Sequence, residues 1–113
     1  MVNPKRGQIK IKINEQEFDC RVTLDAILKM ETLLGVGLMQ ILQKLSQGTL
    51  KTSEIISILL PVIRSSGKDI DEKKVGELIF NDYGGALRET GQILTLALGG
   101  ESEEGKTKEV ENV

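Results

Sequence analysis

Histidine is absent from this sequence, which removes the commonest acid–base side chain and the commonest metal ligand. Cysteine occurs once, as Cys20, so no disulfide can close within the chain. With a lone cysteine and no histidine, neither a zinc site nor a cysteine–histidine or serine–histidine nucleophile can be assembled. The aromatic residues are only Phe18, Phe80 and Tyr83, too few to build the stacking platforms that hold single-stranded nucleic acid. No apolar run approaches the ~18 residues of a membrane span, and no apolar stretch follows the N-terminal charges, so neither a span nor a signal peptide is expected. The 15 basic and 17 acidic side chains nearly cancel, leaving no strong field to recruit nucleic acid or membrane. These absences lead to the expectation of a cytoplasmic protein without cofactor or metal, not an enzyme, that acts by touching another protein.

What is present begins with alternation. Gln8-Ile9-Lys10-Ile11-Lys12-Ile13 and Glu17-Phe18-Asp19-Cys20-Arg21-Val22 each alternate apolar and polar residues, the period of a strand with one buried face. A tight turn at Glu15-Gln16 would set Ile13 opposite Phe18, Ile11 opposite Cys20 and Ile9 opposite Val22, with Lys12 facing Asp19 on the wet side. Cys20 then reads as a small buried hydrophobe rather than a reactive thiol. A lone hairpin is marginal in water, so this one is expected to pack on the helix that follows it.

Helical spacing takes over at Thr23, a good cap with Asp25 in the first turn behind it. Leu24, Ile27, Leu28, Met30, Glu31 and Leu34 follow as the inward stripe, and Gly35 stands where a left-handed C-terminal residue belongs. A second short helix is expected over residues 38–46, carrying Leu38, Ile41, Leu42 and Leu45. Thr52 or Ser53 would cap a third, apolar almost all round through Ile55, Ile56, Ile58, Leu59, Leu60, Val62 and Ile63, which signals central burial or burial against a partner. Pro61 inside it predicts a kink or break. Asp71 would cap a fourth helix reaching Phe80, with Val75, Leu78 and Ile79 inward, and a last helix is expected over residues 86–98. The whole is an α+β fold, an N-terminal β-hairpin packed on four to five short helices. Its domain is bounded at residues 8–98, between a mobile stretch of residues 1–7 and a disordered acidic tail of residues 99–113. Charge supports that division: residues 1–100 hold 13 basic and 12 acidic side chains, residues 101–113 two lysines and five glutamates.

Chemical motifs are few and each has a plainer account. Asp69, Asp71 and Glu72 lack the ligand spacing of a calcium loop, and Asp71 serves better as a helix cap. Gly35-Val36-Gly37 follows a helix rather than a strand, so it is a helix stop and not a dinucleotide turn. Gly84-Gly85 ahead of a helix has no Lys-Ser/Thr behind it and reads as a loop rather than an anion site. Lys5, Arg6, Lys10, Lys12 and Arg21 share one side of the hairpin with Glu15, Glu17 and Asp19, which neutralise them.

Asn3-Pro4-Lys5-Arg6-Gly7, the alternating ribbon, Thr23-Leu24-Asp25-Ala26 and Glu31-Thr32-Leu33-Leu34-Gly35-Val36-Gly37 together resemble a family of small proteins encoded among the tail genes of gene transfer agents and related phages. The likeness continues through Leu45-Ser46-Gln47-Gly48-Thr49-Leu50 to Gly67-Lys68-Asp69-Ile70 and covers roughly residues 3–98. Members are classed as tail assembly chaperones and are sometimes labelled tail tube proteins. Glu15-Gln16 stands where the family pattern has glycines, and Pro61 interrupts a helix that the pattern lets run on.

The resemblance implies a chaperone that holds the tape measure protein, and possibly the tail tube protein, in a bacterial cytoplasm while the tail assembles. A structural protein of the tail tube or its end is the alternative, and a small regulator is a third reading. Within the almost all-apolar third helix and near it, Met39, Ile58 and Leu59 are the candidate residues for a partner or self-association surface.

Overall fold

The chain turns back at Asn14-Glu15, one residue earlier than the alternation suggests. This hairpin opens a computed structural model that describes residues 7–99; expectations for residues 1–6 and for the acidic tail from residue 100 onward lie outside those residues. Strands β1 (Gln8–Ile13) and β2 (Gln16–Arg21) pair antiparallel, with Ile13 opposite Gln16, Ile11 opposite Phe18, Ile9 opposite Cys20 and Lys12 opposite Glu17. This corrects the expected Glu15-Gln16 turn. Asn14 and Glu15 both take positive φ, 51° and 64°, the backbone of a primed two-residue turn that matches the twist of the strands. Asn adopts that region more readily than most residues, because its short polar side chain bonds locally. Moving the register by two positions changes every partner but no face, so Ile9, Ile11, Ile13, Phe18 and Cys20 are still buried together.

Five helices follow: α1 (Leu24–Leu34), α2 (Leu38–Gln47), α3 (Thr52–Arg64), α4 (Glu72–Asn81) and α5 (Tyr83–Ala97). Thr23 caps α1 by accepting from the Ala26 amide at 3.0 Å, and Gly35 ends it with φ 75° while donating to the Glu31 carbonyl. Asp71 caps α4 by accepting from Lys74 N–H at 2.9 Å. Neither Thr52 nor Ser53 caps α3; Lys51 occupies that position, and its amide donates to the Glu54 carboxylate at 2.9 Å.

Pro61 does not break α3. The helix runs through it, although proline withholds the amide that would meet the Ser57 carbonyl. Burial of Ile55, Ile58, Leu59, Leu60, Val62 and Ile63 outweighs that loss, since each side chain contributes ~1.5–3 kcal/mol on leaving water. Helix α5 begins three residues before the expected start because Asp82 caps it, accepting from Gly85 N–H at 3.0 Å. Gly85 lies inside the first turn, where a Cβ would collide with the Asp82 carboxylate.

Helix α3 is the hub, touching α1, α4, α5 and β2. The ribbon's principal supports are α3 beneath β2 and α5 beneath β1, not the expected α1. The edges of the hairpin explain this arrangement. With Ile13 and Gln16 as the bonded pair flanking the turn, the amides of Lys12, Asn14 and Arg21 point outward, away from the partner strand. Helices meet all three: Lys12 N–H donates to Glu89 Oε2 at 3.1 Å, Asn14 N–H to Asp82 Oδ2 at 2.8 Å, and Arg21 N–H to Ser65 Oγ at 3.0 Å. Glu89 projects from α5, Asp82 caps it and Ser65 follows α3, so side-chain oxygens occupy outward donors that would otherwise template pairing with another chain.

Candidate functional site: an apolar groove between α1 and α3

Helix α1 is more apolar than one buried face requires. Ala26 and Met30 turn inward and are buried, whereas Leu24, Leu28 and Leu33 remain 70%, 51% and 56% exposed. Leu24 and Leu28, read from sequence as part of the inward stripe, lie one turn apart on the outside. Beside them a groove of about 740 Å³ runs between α1 and the end of α3 and reaches the first residues of α4. Ala26, Leu28, Leu33, Leu60 and Pro61 are its apolar lining, and the rest of the lining is polar or charged.

The bond from Arg21 N–H to Ser65 Oγ fixes the end of α3 beside the start of α1. Asp25, Arg64, Asp71 and Glu72 therefore gather at one end of the groove, while Thr32 and Leu33 line the other. Two cations on the rim already have partners. Lys29 Nζ stands 3.4 Å from Asp25 Oδ2, and Arg64 Nε donates to the Ile70 carbonyl at 2.9 Å. A second apolar area sits at the corner of α4 and α5, where Phe80 is 85% exposed and Tyr83 and Leu87 are partly so; the Tyr83 hydroxyl lies 3.2 Å from Thr52 Oγ1.

Met39, Ile58 and Leu59 do not share a surface. Met39, in the first turn of α2, is 66% exposed, but Ile58 and Leu59 have no exposed area. Both belong to the core because α3 is covered by helices and by β2, so the structure corrects their candidacy as contact residues. The residues that sequence reasoning missed are Leu24, Leu28 and Leu33. Their signal was the surplus on α1, where Leu24, Ile27, Leu28, Met30, Leu33 and Leu34 exceed one stripe.

The other candidate motifs are accounted for locally. Asp71 is a cap, and among the described residues no group of three or more His, Cys, Asp or Glu side chains could hold a metal ion. At the start of α5 the Asp82 carboxylate occupies the place an anion would take near Gly84 and Gly85, with its pKa lowered by the Asn14 and Gly85 amides that it accepts. Burial, reinforced by the charges of Asp19 and Glu89, pushes the Cys20 thiol up to about 12, so at neutral pH it stays protonated and unreactive. Lys44 on α2 reaches Glu54 on α3 at 3.1 Å, and the Lys51 amide followed by Lys44 holds the Glu54 carboxyl below its usual value. No helix among the described residues is long and apolar enough to cross a membrane.

The family model described as phage tail tube protein, GTA-gp10, matches residues 6–100. No curated protein and no solved structure matches the chain.

Proposed function

The chain belongs to the phage tail tube protein GTA-gp10 family, and from that premise we propose that it is a tail assembly chaperone which holds the tape measure protein while the tail tube is built. The observation that supports this reading is the set of exposed apolar side chains on α1, Leu24 with Leu28 one turn on and Leu33 on another side of the helix, on a body with a filled core of its own. A chaperone that works by holding needs apolar surface its own fold does not consume, and no chemistry. A groove between two helices suits an amphipathic helix of a client, read through anchors spaced i, i+3, i+4 and i+7. In this reading the protein acts in the bacterial cytoplasm, where tails are assembled, and is not an enzyme.

The description of the family favours a second reading, a structural component of the tail tube or its end. Against it stands the sheet, which among the described residues has two strands of six residues each, short for the continuous inner wall of a tube. Co-expression with the tape measure protein of the same gene cluster, followed by size-exclusion chromatography with light scattering, separates the two. A soluble complex of defined stoichiometry is expected. Rings or tubes formed by this chain alone, with the tape measure protein left insoluble, would overturn the chaperone reading in favour of the structural one.

A further inference from the structure

We propose that copies of this chain associate head to tail through the hairpin, the β1 edge of one copy adding to the β2 edge of the next. The inference does not depend on the chaperone reading. A two-stranded sheet has two edges, and here side chains cover each edge only in part. The amides that point outward are those of Gln8, Lys10 and Lys12 on β1 and of Glu17, Asp19 and Arg21 on β2. Glu89 accepts from Lys12 near the turn, and Ser65 accepts from Arg21 at the other end of the sheet. Among the described residues no group accepts the amides of Gln8, Lys10, Glu17 or Asp19, and all of these residues are exposed. Each edge therefore keeps a short open window of equal length. Placing Gln8 of one copy opposite Asp19 of the next, and Lys10 opposite Glu17, pairs open groups with open groups throughout. The covered amides of Lys12 and Arg21 then flank the paired segment instead of interrupting it.

Charge selects which edges meet. When both hairpins keep their apolar faces on their own helices, edge pairing between copies is antiparallel for every choice of edges. Pairing β2 with β2 sets Glu17 against Asp19 twice, and pairing β1 with β1 gathers lysines with no counter-charge; like charges across a sheet repel. Only β1 on β2 places Lys10 opposite Glu17 and Gln8 opposite Asp19, with the wet faces continuous. Within one copy Lys10 Nζ stands 3.9 Å from Glu17 Oε1 and more than half of each side chain is exposed, so both remain open to a neighbour. A contact this short lies far below the ~800 Å² per partner of a stable association, so it is weak and reversible and matters where copies are crowded together.

The test is sedimentation velocity on the full chain over a concentration series. The weight-average mass is expected to rise without a plateau at the dimer, because each added copy presents a fresh edge. Proline is tolerated on an edge where the N–H it removes faces solvent, so Lys10→Pro closes β1 and Asp19→Pro closes β2 while the hairpin keeps its own ladder. Each variant alone is expected to stay monomeric, and the two mixed should form a one-to-one dimer through the edges left open. Charge reversal reaches the same contact without proline. Lys10→Glu or Glu17→Lys should weaken association about five-fold at low salt and less at high salt, and mixing the two variants should restore it. A monomer mass that holds across the series overturns the proposal. Asp19→Pro or Lys10→Pro dimerising alone overturns it in favour of two like edges, and association that survives both prolines but not Leu28→Asp overturns it in favour of the α1 leucines. A monomer that keeps the tape measure protein soluble removes this inference and leaves the chaperone reading standing; head-to-tail association without hold on that protein does the reverse.

Discussion

Ile58→Ala should destabilise this protein severely, and Met39→Ala should hardly touch it, although both residues look equally suited to contact from sequence. Ile58 has no exposed area and lies in the helix that the rest of the fold surrounds. Truncation to alanine removes three carbons, worth ~0.8 kcal/mol each in transfer from water. The void they leave, roughly 80 Å³ before relaxation, adds up to about 2 kcal/mol at ~24 cal/mol per Å³. A loss of ~3–4 kcal/mol follows, a large share of the ~5–15 kcal/mol that holds a domain of this size together. The melting temperature should fall by at least ~12 °C. Met39, 66% exposed, should stay within ~0.5 kcal/mol of the parent. The chain has no tryptophan, so urea unfolding is best followed by far-ultraviolet circular dichroism, where Ile58→Ala moves the midpoint and leaves the slope unchanged. An Ile58→Ala protein with the parental midpoint but no hold on its tail partner would refute the reasoning, since Ile58 would then be a surface residue.

Glu89→Ala should cost ~1–3 kcal/mol by leaving the Lys12 amide without its carboxylate, and Glu89→Gln less, because an amide oxygen can still accept; hydrogen exchange at Lys12 should accelerate in step, and unchanged exchange would contradict this role of Glu89. Acid should weaken the fold through Glu54 and Asp82. Both have folded pKa values below their ordinary 4.5 and 3.8, so their contribution is present above those values and is lost as pH falls through the lower folded ones. Glu54→Gln with Asp82→Asn should therefore flatten the decline in urea midpoint between about pH 5 and pH 2, and an unaltered slope would count against both groups. Cys20 should resist a thiol reagent at pH 8 until urea unfolds the chain. Its raised pKa gives a contribution that is full below the ordinary value of 9.0 and disappears as pH rises toward about 12, so Cys20→Ala should lose less stability than the parent across that alkaline window.

Faces and helix ends were legible where short-range chemistry decides them. The alternation of Ile9, Ile11 and Ile13 with lysines dictates which side is buried whatever the register, and Thr23, Gly35 and Asp71 mark helix ends because one side chain or one left-handed residue settles each. The register itself was not legible: turns at Asn14-Glu15 and at Glu15-Gln16 both keep the alternation, and only the backbone preference of Asn separates them. The all-round apolar pattern of α3 correctly pointed to a central helix. What lies under the hairpin could not be read, because its edge amides are met by residues 68 and 77 positions further along. The groove was hidden for a similar reason. Leu24 and Met30 look alike on a helical wheel until it is known which side of α1 faces α3.

The pairing of the hairpin with α5 bears on how the chain comes off the ribosome. The hairpin is translated before the helices, yet the oxygens that receive the Lys12 and Asn14 amides belong to Glu89 and Asp82, 77 and 68 residues later. Until α5 has emerged, β1 is an exposed strand with open outward donors and an apolar face. Closure of the hairpin's edge is thus tied to the emergence of α5, and the interval before α5 arrives is when the nascent chain is most vulnerable to pairing with a neighbour.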